Sequence, residues 1–404
     1  MSAAVQRTGD MRRGACPSLP EPMATGDGLL ARLALQAPLT PRQLTGLARL
    51  ARTLGNGVVE VTARGKVQIR GLTALSAPHL APGIDALGIE VRQGFAIEIS
   101  PLAGLDPGAA FDPRALADEI SERAAALVGR LAPKVSVVID GGGALHLGGL
   151  AADIAVTGGG CLTLAGAPFA RVGADEVAAT VIALLERLAA RSQTMRMAEL
   201  VDEQGVETLR ASLGLEAFGT PHEYPPGEPL RVHPLNNGKV ALGIGLRFGQ
   251  TDADALEKLA ELAETFGAAH VEPVAGRALL LVGLAPDKAE PLRVAASNLG
   301  FITDPADPLR RVSACPGAPS CGSGRMETHA LAVAIADLAN RRSVHVSGCA
   351  KGCAHPGPAA LTIVGLDEGA GIVVEGTPRD RPIRVVSIAN VRMVVRDMLE
   401  KSGA

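Results

Sequence analysis

Four of the six cysteines fall in two close pairs near the C-terminus. CPGAPSC runs from Cys315 to Cys321, 27 residues follow, and CAKGC runs from Cys349 to Cys353. Four thiolates in such an arrangement are a ligand set for an iron–sulfur cluster or for zinc. Zinc knuckles favour two to four residues between paired cysteines, so the five-residue gap fits zinc poorly and the three-residue gap is neutral. The Gly, Ala and Pro residues around these cysteines would let backbone N–H groups approach cluster sulfides. A structural zinc, or four unpaired buried thiols, is the plainer alternative that spacing alone leaves open. Cys16 and Cys161 stand alone, as bystanders.

A second group of residues suits an anion. In TARGKVQIRG (Thr62 to Gly71), strand alternation puts Arg64, Lys66, Gln68 and Arg70 on one face, and Val67 and Ile69 on the other. Three cations and an amide in a row match a ligand bearing many carboxylates, which Arg grips bidentately. The competing reading is a solvated strand face with ordinary surface charge. Lys134 in LAPK and Lys351 between two proposed ligands are further candidate cations; His355 reads equally well as a satisfied loop histidine. No catalytic acid or base can be assigned. The glycines of DGGGALHLGG (Asp140 to Gly149) do not form the strand, G-x-G-x-x-G, helix arrangement of a dinucleotide site.

The elements that must position these residues are written twice. At an offset of 212 residues, Leu44, Leu47, Leu50 and Leu54 fall on Leu256, Leu259, Leu262 and Phe266, and Gly55, Val59, Gly71 and Leu72 fall on Gly267, Val271, Gly283 and Leu284. Apolar spacing of three and four describes an amphipathic helix in each copy. In the first it is entered through Thr40, Pro41 and Gln43, a capping-box pattern with Pro at the first helical position. Strands flank each helix, as in LLARLAL (Leu29 to Leu35) and KVALGIGL (Lys239 to Leu246). With small shifts, SPLAG from Ser100 matches SACPG from Ser313, and VSVVIDGGG from Val135 matches VHVSGCAKG from Val344. The first-half positions aligned with the four cysteines are Leu102, Gly108, Asp140 and Ala144, so one half alone carries the thiolates. The expected class is α+β, with a half-domain over 20–88, a larger α/β unit over 89–218, a Pro- and Gly-rich linker over 219–230, a second half-domain over 231–304 and the thiolate-bearing α/β unit over 305–404.

Composition narrows the partners. The 404 residues carry a formal charge of −3 and a pI near 6.3, with no Trp, one Tyr (Tyr224) and seven Phe. A basic stripe and stacking platforms are both missing, so nucleic acid is not expected. No apolar run approaches the roughly 18 residues of a membrane helix, and Met1 to Pro22 lacks a signal-peptide core, so the expectation is a cytoplasmic protein with reduced thiols.

The cysteine spacing, the phrase VSGCAKGCAHP and the duplicated halves resemble the sirohaem-dependent sulfite and nitrite reductase superfamily over about the whole chain. Within it, RRGACPSLPEPMATGDGLLARL (Arg12 to Leu33), SPLAGLDP (Ser100 to Pro107) and LAPKVSVVIDGGG (Leu131 to Gly143) are similar to the precorrin-3B synthases. The resemblance implies an internally duplicated nitrite/sulfite reductase-like fold with two ferredoxin-like half-domains, and a [4Fe-4S] cluster on Cys315, Cys321, Cys349 and Cys353. It implies oxygen-dependent conversion of precorrin-3A to precorrin-3B, by hydroxylation of a meso carbon and closure of a lactone. A mononuclear non-haem iron is associated with the family, without ligands that can be named here. With no dinucleotide motif in the chain, NADH-derived electrons are expected through a separate reductase.

The superfamily uses basic residues of the strand carrying Arg64, Lys66, Gln68 and Arg70 around its tetrapyrrole. Lys134 resembles the first of its two active-site lysines; the second would fall at Ser136, and Arg92 does not align cleanly with the further active-site arginine. Two other functions compete: an assimilatory sulfite or nitrite reductase whose sirohaem shares Cys353, and a non-enzymatic tetrapyrrole-binding or electron-transfer protein.

Overall fold

The computed structural model describes residues 17–92, 94–218, 227–339 and 342–401. Cys16 and residues 12–16 of the N-terminal phrase lie outside them, as do Tyr224 and the rest of 219–226 of the expected linker. The chain clusters into two compact units. The smaller takes Arg92–Glu228 with Pro234–Asn237; the larger takes Ser18–Val91, Pro229–His233 and everything from Gly238 on. Apart from Pro234–Asn237, the expected half-domains over 20–88 and 231–304 therefore fall in one unit together with the thiolate-bearing segment.

The larger unit opens with a hairpin of β1 (Met23–Thr25) and β2 (Gly28–Leu33), then α1 (Pro41–Leu54), β3 (Val58–Val61), β4 (Val67–Leu72) and α2 (Leu80–Ala86). The smaller unit follows: β5 (Ala96–Ile99), α3 (Arg114–Arg123), β6 (Ser136–Asp140), β7 (Ile154–Thr157), β8 (Cys161–Leu164), β9 (Ala167–Arg171), α4 (Val177–Arg191), α5 (Met197–Gln204) and α6 (Val206–Ala211). The chain then returns through β10 (Val232–Pro234), β11 (Val240–Gly245), β12 (Gln250–Asp252), α7 (Ala253–Thr265), β13 (His270–Val274), β14 (Ala278–Leu284) and α8 (Pro286–Asn298). It ends with β15 (Val312–Ala314), α9 (His329–Ile335), β16 (Val344–Ser347), β17 (Ala359–Leu366), β18 (Gly369–Gly376), β19 (Arg384–Val386) and α10 (Val391–Lys401).

The repeat is visible element by element. Thr40 caps α1 by accepting from Gln43 N, and Asp252, one offset of 212 later, caps α7 by accepting from Ala255 N. Both helices bury the same stripe, Leu44, Leu47, Ala48 and Ala51 in one, Leu256, Leu259, Ala260 and Ala263 in the other. Those stripes and the inner faces of the two half-domain sheets make a single core, including Leu33, Ile69, Leu281 and Leu292. The halves also exchange edges: Thr251 pairs with Val59, and Leu39 pairs with Val271, contacts related by the same offset. Each half thus covers an edge strand of the other, which would otherwise be open to aggregation.

The second half of the repeat gives one sheet in each unit. The orders β5-β6-β7-β8-β9 and β15-β16-β17-β18-β19 share their pairing directions, two parallel pairs and then two antiparallel pairs. In the smaller unit α3 and α4 pack on this sheet around Ile139, Phe169 and Leu184. Among the described residues no helix is long and apolar enough to cross a membrane.

Candidate metal centre

Two parallel neighbours in the sheet of the larger unit end at the thiolates. β15 and β16 are paired through Ala314 and Val346, Cys315 follows β15 directly, and Cys349 stands two residues beyond β16. Parallel pairing brings both C-terminal ends to one edge, so the two cysteine loops start side by side. Cys315 is buried, Cys321 and Cys349 are partly buried, and Cys353 is open to solvent on one side.

Glycines set how closely the loops approach. Gly348 N donates to Cys315 Sγ at 3.2 Å, and a Cβ on Gly348 would come within 3.1 Å of Gly317 Cα and 3.3 Å of Gly324 Cα. Gly317 takes φ 62°, a left-handed conformation that glycine adopts without steric cost. From the opposite side, the β1–β2 turn closes on the first loop: Gly322 N donates to Gly26 O at 2.8 Å, and a Cβ on Gly26 would lie 2.1 Å from Cys321 Sγ. Thr328 Oγ1 donates to the Cys315 carbonyl.

Burial pushes the Cys315 thiol up; the Gly348 and Gly317 N–H groups oppose this, and neighbouring Cys349 and Cys321 add to it. Cys353 is raised in the same way, by burial and then by Cys315 and Cys349, with Lys351 lowering it. The four thiols are therefore electrostatic neighbours in a cradle of backbone N–H groups with no room for extra side chains. A bound metal supplies the charge that would deprotonate them. This donor set fits an iron–sulfur cluster. Among the described residues no three His, Cys, Asp or Glu side chains converge closely enough for a single metal ion.

The basic run is placed differently from its strand pattern. β4 starts at Val67; Thr62 to Lys66 form a tight turn, with Gly65 at φ 74° and Gly65 N bonded to Thr62 O, so Arg64 and Lys66 are turn residues rather than strand residues. Arg64 is exposed and paired in the backbone with Ala275 of the second copy. Gln68 and Arg70 do share a strand face, but that face is buried. Arg70 donates to Asp27 through Nε and Nη2, both at 2.8 Å, and to Glu60 through Nη1 at 2.9 Å. The Gln68 amide, oriented by its partners, donates to Glu60 Oε1 at 3.3 Å and accepts from Arg32 at 2.7 and 2.8 Å. Asp27 and Glu60 engage the Arg70 guanidinium at all three nitrogens, so its charge is already paired inside the sheet.

Of the other candidate cations, Lys351 is exposed and donates to Ser323 Oγ at 3.1 Å. Lys134 lies in the smaller unit, exposed just before β6. Ser136, where a second lysine was sought, is buried, with its N–H on Asp153 Oδ2 at 2.9 Å. Arg92 has a buried Nη1 without a partner. His355 Nε2 is within hydrogen-bond distance of Pro358 O, 3.2 Å, a loop contact.

No sequence pattern pointed to His345, fully buried on β16 with neither ring nitrogen bonded. Burial first, then His355 and Arg277, lowers its pKa to about 4, so the ring is neutral. Asp27 and Glu60 were missed as well, because each meets Arg70 only in the folded sheet. Arg277 had one available signal: it sits one repeat offset from Gly65.

Comparison with known proteins agrees with this architecture. Residues 21–85 match the model of the nitrite/sulfite reductase ferredoxin-like half domain. The chain is 39% identical to the precorrin-3B synthase of Sinorhizobium sp, over 94% of this chain and 88% of that one. It is 27% identical to the ferredoxin–nitrite reductase of Synechococcus elongatus, over 86% and 78%. The solved structure of Mycobacterium tuberculosis NirA protein superposes with a TM-score of 0.70 at 18% identity, covering 92% of this chain and 81% of that one. The fold is thus the α+β nitrite/sulfite reductase type.

Proposed function

The chain belongs to the precorrin-3B synthase family, and we propose that it acts on precorrin-3A as an oxygen-dependent monooxygenase, forming the hydroxylated lactone precorrin-3B on the route to cobalamin. The observation that carries this reading is the four-thiolate cradle at the ends of β15 and β16, in a chain 39% identical to a precorrin-3B synthase over 94% of its length. When bound, a [4Fe-4S] cluster would be held by Cys315, Cys321, Cys349 and Cys353 and would supply one-electron transfer. Electrons come from NADH through a separate reductase, since the chain has no dinucleotide motif of its own.

The protein's own residues bind and orient. Arg64 and Lys66, at the β3–β4 turn, and Lys351, beside the cluster loops, offer charge-assisted contacts to the acetate and propionate groups of the macrocycle. Lys134, exposed in the smaller unit, offers a charge of the same kind. Gln68 and Arg70 serve indirectly: Arg70 holds Asp27, Asp27 adjoins Gly26, and Gly26 closes on Cys321. The reductase alternative is weaker on a specific observation. Six-electron reduction of sulfite needs several cations to bind the anion and deliver protons. At the position of the second lysine this chain has Ser136, sealed against Asp153.

Anaerobically purified protein, given precorrin-3A, oxygen and an NADH-driven reductase, should form the hydroxylated lactone. Its spectrum should show cluster absorbance without a stoichiometric sirohaem band. A resident sirohaem with sulfite or nitrite turnover, and no product from precorrin-3A, would replace this function with the reductase one.

A further inference from the structure

Arg277 stands where the first copy of the repeat has Gly65. Both positions take left-handed backbone, φ 74° at Gly65 and 61° at Arg277. Glycine enters that region freely; an arginine there is held against its local preference by the surrounding structure, and such outliers gather at functional centres. What the conformation provides is direction. From the tip of the β13–β14 hairpin the side chain runs past Gly249, where a Cβ would lie 3.1 Å from Arg277 Cδ. Its Nη2 then donates to Ser313 Oγ at 3.0 Å and to the Ala354 carbonyl at 3.3 Å. Ser313 lies two residues before Cys315, and Ala354 follows Cys353. One guanidinium therefore bridges the chain ahead of the first thiolate and behind the last.

Its charge points the same way. Among the described residues Arg277 makes no salt bridge. Burial lowers its pKa, and Glu60 is the anion that partly offsets this. A half-buried cation without a directly paired carboxylate, aimed at the chain that carries four thiolates, suits an anionic centre whose ligands bring more negative charge than its iron–sulfur core offsets. We propose that Arg277 is a positioning residue of the cluster centre, tying the chain before Cys315 to the chain after Cys353 and lending the centre a positive charge. This rests on reading the four cysteines as an iron–sulfur site.

The test compares full-length wild type with R277G, R277Q and R277K, each reconstituted anaerobically with iron and sulfide. R277G installs the residue the first copy uses at this turn, so its thermal midpoint should not fall. R277Q keeps the stem without the charge, which makes the comparison independent of the backbone. In both, the loaded cluster should bleach about tenfold faster in a chelator, the lower end of the range for losing an outer-shell partner of a metal ligand. Its midpoint potential, followed by electron paramagnetic resonance, should become more negative. R277K should keep the potential near that of wild type yet still bleach fast, because the shorter lysine stem stops short of the point from which Nη2 reaches both acceptors. Wild-type bleaching and potential in R277G and R277Q would overturn the proposal while leaving the cluster in place. A wild type that takes up no iron or sulfide would overturn the cluster reading and this inference with it.

Discussion

Burying the Arg70 guanidinium costs it hydration, and Asp27 and Glu60 offset that cost with three charge-assisted hydrogen bonds. Their side chains are 11%, 3% and 21% exposed, so removing the cation strands two carboxylates inside the sheet. Arg70→Gln should therefore cost about 3–5 kcal/mol of unfolding free energy at pH 7, the range for breaking one side of a buried pair. Burial alone would raise the Asp27 pKa, but the hydrogen bond and charge of Arg70 outweigh it and hold the folded value below the ordinary one. The stability Asp27 contributes is thus complete above its unfolded pKa and is lost as pH falls through the depressed folded pKa. The gap between wild type and Arg70→Gln should narrow in acid over that window; denaturant titrations from pH 7 to pH 2.5 that show a constant gap would contradict the argument. At this scale the sequence displayed the cysteines, whose spacing is local. It hid Asp27 and Glu60, because a cation's partner across a sheet leaves no trace in the run that contains the cation.

Elements turn these residues into a centre by ending in the right place. The parallel pair β15 and β16 delivers Cys315 and Cys349 to one sheet edge, and the β1–β2 turn, anchored through Asp27, seals the first loop at Gly26. A Cβ on Gly26 would lie 2.1 Å from Cys321 Sγ, so the thiol could not keep its place beside an alanine. Gly26→Ala should force the turn or the cysteine loop aside, costing about 1–3 kcal/mol as overpacking does, and should weaken iron and sulfide retention. Iron analysis after gel filtration, beside a denaturant curve, checks both; full retention at wild-type stability would show that the turn does not seal the loop. Helices and their caps were legible at this scale because Thr40, Gln43 and the stripe of Leu44, Leu47, Ala48 and Ala51 are periodic. The start of β4 was not. Alternation of charge from Arg64 to Arg70 reads as one strand, while Gly65 turns the chain at φ 74° before the strand begins.

At the scale of the whole molecule, two units carry the same five-stranded sheet but one alone carries the thiolates. The repeat offset exposed the duplication in the sequence; what fills the loops of the smaller unit became visible only in the fold. There two carboxylates, Asp106 and Asp140, close the corresponding loops. Asp106 accepts from Gly108 N and Ala144 N, both at 2.7 Å, and Asp140 accepts from Gly142 N at 2.9 Å and Leu147 N at 2.7 Å. The loops after β5 and β6 are thereby closed by side chains the unit supplies itself, and their N–H groups need no cluster to satisfy them. Metal content should follow this division. Wild type should hold about four iron and four sulfide per chain, and Ser in place of Cys315, Cys321, Cys349 or Cys353 should abolish the brown absorbance, whereas Cys161→Ser should not. Asp106→Asn keeps the shape but weakens two charge-assisted bonds, so it should lower stability by about 1–3 kcal/mol while iron and sulfide stay at the wild-type level. Loss of iron in Asp106→Asn, or cluster absorbance that survives in a Cys349→Ser protein, would mean that the centre is not confined to the larger unit.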